Sequence, residues 1–77
     1  MKVKELYQQP GIRWVRGLGD GKTTFCLFQA IEQCYPGERA RRVIHLVYAR
    51  IFPSYISKWN DSHSEEEVMN LVKELDI

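Results

Sequence analysis

Thr23 to Cys34, TTFCLFQAIEQC, is the most apolar run in the chain, and the reading of every other segment depends on it. Leu27, Ala30, Ile31 and Cys34 fall on one helical stripe, and Phe25 and Phe28 widen the apolar surface beyond it. A helix that is apolar around so much of its circumference is a buried helix. Only Gln29, Glu32 and Gln33 are expected to face water. The rest of a chain of 77 residues then has to supply the cover, as one domain spanning 1–77.

On the N-terminal side, Lys2 to Gln8 reads as a short first helix with Val3, Leu6 and Tyr7 on one face. Pro10 and Gly11 stop it. So few residues are not helical alone, so this segment must dock on the core. Ile12 to Lys22, IRWVRGLGDGK, carries strand residues at Ile12, Trp14 and Val15 and a hairpin-turn signal at Asp20-Gly21. Two expectations follow for 12–23. One is a two-stranded ribbon, with Thr23 and Thr24 pairing back; the other is a Gly-rich loop.

The end of that segment, Gly21-Lys22-Thr23, matches the end of a phosphate-binding loop. The pattern fails at its start, because position 16 is Arg16 and Gly17 comes one residue late. No buried parallel strand precedes it, so a nucleotide site is rejected. A simpler anion site remains as an expectation: Lys22 ahead of a helix N-terminus, with Arg13 and Arg16 nearby. The alternative is that all three are solvated charges.

On the C-terminal side, Tyr35-Pro36-Gly37 breaks the central helix. Glu38 to Phe52 then gives the cleanest amphipathic pattern, with Ala40, Val43, Ile44, Val47, Tyr48 and Ile51 on one stripe. Arg39, Arg41, Arg42 and Arg50 lie off it and form a candidate partner-binding face, with His45 among them. Three of these arginines crowd the first two turns, where cations oppose the helix dipole at about 0.3–1 kcal/mol each. Pro53 ends the helix. Ser54 to Asp61 reads as a compact linker, with one helical turn as an option, in which Tyr55, Ile56 and Trp59 pack together. Trp59 is expected to be a core anchor, and Asn60 and Asp61 to be turn formers. Ser64 and Glu67 make a capping box before a last helix with Val68, Leu71, Val72 and Leu75 as its stripe. The fold expected is mainly α: a small four-helix domain, with the short ribbon as an option before the second helix.

The two cysteines bear on compartment. Cys26 and Cys34 are placed on one helix, about 12 Å apart at its rise per residue. A disulfide requires Cα atoms within about 7 Å, so both thiols are expected to be free, buried and in a reducing, cytoplasmic setting. Hydrophobic residues make up 44% and charged residues 27%, with a net charge of +1. That composition is globular and brings no bulk field toward nucleic acid or membrane. No apolar window approaches the roughly 20 residues of a membrane span. A core this small supplies about 3–5 kcal/mol, which makes a homodimer covering an apolar face one option.

Trp59-Asn60-Asp61, followed by Glu67-Val68 and Leu71-Val72, resembles the C-terminal signature of a family of small uncharacterised bacterial and phage proteins. That family is the domain of unknown function numbered six-one-nine-seven. Its pattern reads Trp-Asn-Asp, a short turn, Thr-x-x-Glu-Val and then leucines. Phe25-Cys26-Leu27 with Ala30-Ile31 is similar to the family's Cys-x-x-Gly-Ala-Ile helix start, with Gln29 where the family often has Gly. Trp14-Val15-Arg16-Gly17 is similar to its Trp-x-x-Gly segment. The turn between Asp61 and Ser64 is shorter here. The resemblance implies a phage- or mobile-element-borne protein and supports the fold, but it carries no activity.

The expected function is therefore a non-enzymatic interaction or regulatory protein with an unknown protein partner. No catalytic group, metal or cofactor is assigned. One alternative is binding of nucleic acid or an acidic partner through the arginine face, although no aromatic–basic interleaving or zinc-ligand spacing supports nucleic acid. The other is a small enzyme using Cys26 or Asp61. The local sequence puts no histidine beside either cysteine to activate a thiolate.

Overall fold

The computed structural model describes residues 1–77. The chain is mainly α, as expected, with five helices rather than four and a short two-stranded parallel sheet. In order these are α1 (Val3–Tyr7), β1 (Arg13–Trp14), β2 (Thr24–Phe25), α2 (Leu27–Cys34), α3 (Gly37–Ile51), α4 (Ile56–Ser62) and α5 (Glu65–Leu75). No helix is long and apolar enough to cross a membrane.

α2 is the centre, and α1, α3 and α4 all pack against it. Its stripe of Leu27, Ala30, Ile31 and Cys34 is buried, with Leu27, Ala30 and Ile31 wholly inaccessible. The helix starts later than the apolar run does. Thr24 and Phe25 are strand, and Cys26 is the N-cap residue in extended conformation. α1 adds Val3 and Leu6, α3 adds Val47 and Ile51, and α5 adds Val68, Leu71 and Val72, so one buried cluster serves the whole chain. Both cysteines are free and buried.

The pairing at 13–25 is parallel, with Arg13 opposite Thr24 and Trp14 opposite Phe25, so Asp20-Gly21 is not a hairpin turn. The Asp20 side chain explains the difference. Its Oδ1 accepts hydrogen bonds from the amides of Lys22 (2.7 Å), Thr23 (2.8 Å) and Thr24 (2.9 Å), and its Oδ2 accepts from the Thr23 hydroxyl (2.8 Å). Asp residues commonly bond the backbone ahead of them in this way. Here the bonds fold the loop back over itself, so the chain re-enters beside β1 in the same direction. Bonds from the Thr24, Lys22 and Thr23 amides hold the Asp20 carboxyl well below its usual range.

Gln29, expected to face water, instead clamps this loop. Its Oε1 accepts from the Gly19 amide (2.8 Å) and the Cys26 amide (3.1 Å), while its Nε2 donates to the Gly19 carbonyl (3.1 Å). Position 19 must then be glycine for a steric reason. A Cβ there would lie 2.2 Å from the carbonyl oxygen of Thr24.

The stretch read as a linker, Ser54 to Asp61, is mostly helix α4, so Asn60 and Asp61 sit in a helical last turn rather than a loop turn. A cis peptide joins Phe52 to Pro53 ahead of it. The Ser64–Glu67 capping box forms as read: the Glu67 amide donates to Ser64 Oγ (3.2 Å) and the Ser64 amide to Glu67 Oε1 (2.9 Å). The ends of the described chain meet. Asp76 joins Lys2 and Lys4 at 2.8 Å each, and the main-chain oxygen of Ile77 accepts from the Val3 amide and the Tyr35 hydroxyl.

Gly19→Ala should lower stability by at least about 1–3 kcal/mol, as overpacking against backbone does. The backbone of Thr24 and Phe25 would have to move away from residue 19 for the methyl group to fit. Chemical denaturation of the two proteins measures this, and an unchanged midpoint would show that the loop is not clamped.

Candidate functional site

Asn60 is the only wholly buried polar side chain in the core. It reaches from α4 to two other elements. Its Oδ1 accepts from Trp14 Nε1 (2.6 Å) and from the Leu27 amide (3.0 Å); its Nδ2 donates to the Val15 carbonyl (3.1 Å) and to Asp61 Oδ1 (3.1 Å). The network fixes the orientation of the amide, because rotating it by half a turn would face N–H groups against N–H groups. One of the first amides of α2, which has no partner within its own helix, is thus satisfied by α4. Asp61 extends the junction by accepting from the Gly17 amide at 2.7 Å. That bond, the Asn60 amide and the Arg16 charge hold the Asp61 carboxyl below its usual range.

The three sequence segments singled out above meet here. Trp14 to Gly17, Cys26-Leu27 and Trp59 to Asp61 are far apart in the chain and joined by these bonds. The core anchor among them is Asn60, not Trp59. Trp59 is half-buried and stacks on His63, with ring centroids 4.0 Å apart. The sequence signal that could have found Asn60 is the pair of segments, Trp-x-x-Gly and Trp-Asn-Asp, each carrying groups that the other can satisfy.

Cys26 and Asp61, the residues of the enzyme alternative, line the same depression of about 210 Å³ with Gly17, Leu18 and Ser57. Asp61 is engaged there in holding Gly17 and Asn60, and the depression contains no histidine that could take a proton from the thiol.

The expected anion site does not assemble. Lys22 lies five residues before the first residue of α2, and the loop amides that would hold an anion already hold the Asp20 carboxylate. Arg16 turns away to the other end of the sheet. It donates to the His63 carbonyl (3.1 Å) and sits 5.6 Å over the Trp14 ring. Arg13 and Lys22 are exposed.

The arginines of α3 do not form one face either. Arg50 makes a two-pronged pair with Glu74 of α5 at 2.5 and 3.2 Å, and Arg39 lies 5.7 Å over the Tyr35 ring. These two project on the side of α3 roughly opposite to Arg41, with Arg42 between. All four are exposed, and Arg39, Arg41 and Arg42 have no ion-pair partner.

What the sequence reading missed is an aromatic groove of about 450 Å³ between α2, α3 and α4. Phe28, Ile44, His45, Tyr48, Tyr55 and Ile56 line it, and Ser57 connects it to the Cys26 depression. Tyr48 stacks on Tyr55 (6.2 Å, 18° between planes) and meets Phe52 edge-on (5.7 Å, 83°). Phe52 and Tyr55 are 67% and 72% exposed, so they are not part of the core, and Tyr55 stacks on Tyr48 instead of being buried. The available signal was the spacing. Arg41, His45, Tyr48 and Phe52 follow one another at i, i+4, i+7 and i+11, a second row beside the core stripe.

No known protein family, curated protein or solved structure matches the chain.

Asn60→Leu should strand the Trp14 indole N–H and the Leu27 amide without partners. Each buried donor left unpaired costs about 1–3 kcal/mol, so the loss is about 2–6 kcal/mol. A core this small supplies about 3–5 kcal/mol, so the variant should melt far below wild type or fail to fold. A melting temperature within a few degrees of wild type would contradict the network.

Acid should destabilise the native protein. The carboxyls of Asp20, Asp61, Glu67, Glu74 and Asp76 are all held below their ordinary values, Asp76 at about 2 because of its bonds to Lys2 and Lys4. A lowered folded-state value means that the unfolded chain binds more protons in this range. Stability is then fully present above the unfolded values of 3.8 and 4.5 and is lost as pH falls through them toward 2. Urea unfolding from pH 7 to pH 2 tests this; a flat midpoint would show that these bonds do not form in solution.

Proposed function

We propose that this chain is a non-enzymatic interaction domain that engages another protein through the aromatic groove between α3 and α4. The observation that carries this reading is the exposure of Phe52 and Tyr55 beside the half-buried Tyr48 and Ile44. Clustered aromatic side chains with a polar handle are the residues that dominate protein interfaces. A contiguous exposed patch of this kind on a small domain marks a contact site.

Nucleic acid is the weaker reading. A duplex requires several cations on one surface, and the arginines of α3 point in three directions, with Arg50 neutralised by Glu74. An enzymatic reading through Cys26 or Asp61 is weaker still, because Asp61 is engaged in the Asn60 junction. The family resemblance carries no activity and leaves the role open. The residues that carry it serve the junction, so they speak to fold, and a phage or mobile-element origin rests on the resemblance alone.

A photo-reactive phenylalanine analogue placed at Tyr55, and separately at Arg39, tests the groove in the whole chain. Adducts formed in native-cell extract are identified by mass spectrometry. Identified protein adducts are expected at Tyr55 and should disappear when Ile44→Asp is added to the groove. Adducts to nucleic acid, or equal capture from Arg39, would remove the groove from the functional account. A labelled DNA duplex should show no saturable binding at physiological salt.

A further inference from the structure

We propose that the occupant of the groove-bearing face of α3 is a second copy of this chain, packed antiparallel across a two-fold axis. In this arrangement Arg41 of each copy lies over Phe52 of the other. The inference rests on the groove reading above and adds the identity of the partner.

The row along α3 is complementary to its own reverse. It carries a cation at its start, Arg41, and an exposed ring at its end, Phe52, with His45 and Tyr48 between. The pairs Arg41–Phe52 and His45–Tyr48 share one midpoint. A two-fold axis through that point therefore brings each residue onto its complement in both copies at once, as an isologous contact requires. A guanidinium over an aromatic face is an attractive pairing, and Arg41 has no ion-pair partner that it would have to give up.

Charge selects the antiparallel register over a parallel one. Side-by-side parallel helices would set Arg41 against Arg41. The antiparallel pair separates these cations by the length of the row, about 16 Å at the helical rise, which exceeds the screening length of about 8 Å at physiological salt. Arg39 and Arg50 lie on the far side of α3 and do not enter the contact.

The size of the face sets the strength. Aromatic side chains bury about 150–250 Å² each. Phe52 and Tyr55, both about two-thirds exposed or more, with the open parts of Tyr48 and Ile44, offer about 300–450 Å² per copy. Standard stable interfaces bury about 800 Å² per partner, so the dimer should be weak and concentration-dependent.

Two chains carrying Arg41→Cys and Phe52→Cys test the register. Both positions are exposed, and the native Cys26 and Cys34 are buried, so the new thiols report the contact. After mild oxidation, an equimolar mixture should form a disulfide between positions 41 and 52 at least tenfold more than either chain alone forms its own. In sedimentation equilibrium the wild type should rise toward twice the 9.1 kDa chain mass as concentration increases. Phe52→Asp, with an unchanged circular dichroism spectrum, should stay monomeric. Self-linking of Arg41→Cys as readily as the mixture would overturn the antiparallel register. A wild type that stays monomeric at the highest concentration would overturn the dimer. In that case adducts from Tyr55 to a different protein would still uphold the interaction domain, and their absence would remove both.

Discussion

The hydrogen bonds of the Asn60 side chain are the constraint on which the rest of this structure depends. A short sheet, an eight-residue central helix and a seven-residue fourth helix have little intrinsic stability in isolation. Apolar burial brings them together without fixing their relative orientation. A primary amide in a dry interior does, because each unmade bond costs about as much as a substantial fraction of the whole domain's stability. Asn60 meets four groups from three elements, and none of its atoms lacks a partner. The junction therefore acts as a register device between α4, α2 and β1.

The junction also shapes the surface. α4 presents Ile56 and Ser57, and Tyr55 just ahead of it, to the groove. The position of α4 against α2 is set four residues further on, at Asn60. The aromatic groove thus rests on the apolar core through Phe28, Ile44 and Ile56, with the polar lock setting where α4 lies. That division suits a small domain, in which a large exposed ring cluster would otherwise collapse inward.

Much of the fold was legible from periodicity. The stripe of Leu27, Ala30, Ile31 and Cys34 marked the central helix, and the Ser64–Glu67 box marked the start of the last one. These signals are local, lying within one or two helical turns. The misreadings involve side chains whose roles the neighbouring residues do not announce. Asp20 looked like a hairpin residue because its bonds to three amides look the same in sequence whichever way the chain returns. Gln29 looked solvated because nothing near it announces Gly19 as a partner ten residues away. Trp59 was given the buried role because it is the larger neighbour, whereas burial went to Asn60, whose four bonds make it tolerable. The arginines of α3 looked like one face because each lies off the core stripe. Three-dimensional placement shows that the space off a stripe is most of the helix circumference, and the aromatic row occupies part of it.

The most direct measurement of the central claim is hydrogen exchange at the Trp14 indole N–H and the Leu27 amide, followed by NMR in the native protein. Both donate to Asn60 Oδ1 and should exchange only when the whole domain unfolds, with the same protection as the Ile31 amide inside α2. An indole N–H that exchanges at the rate of an exposed tryptophan, while the interior of α2 stays protected, would show that the junction opens without the fold and does not hold it together.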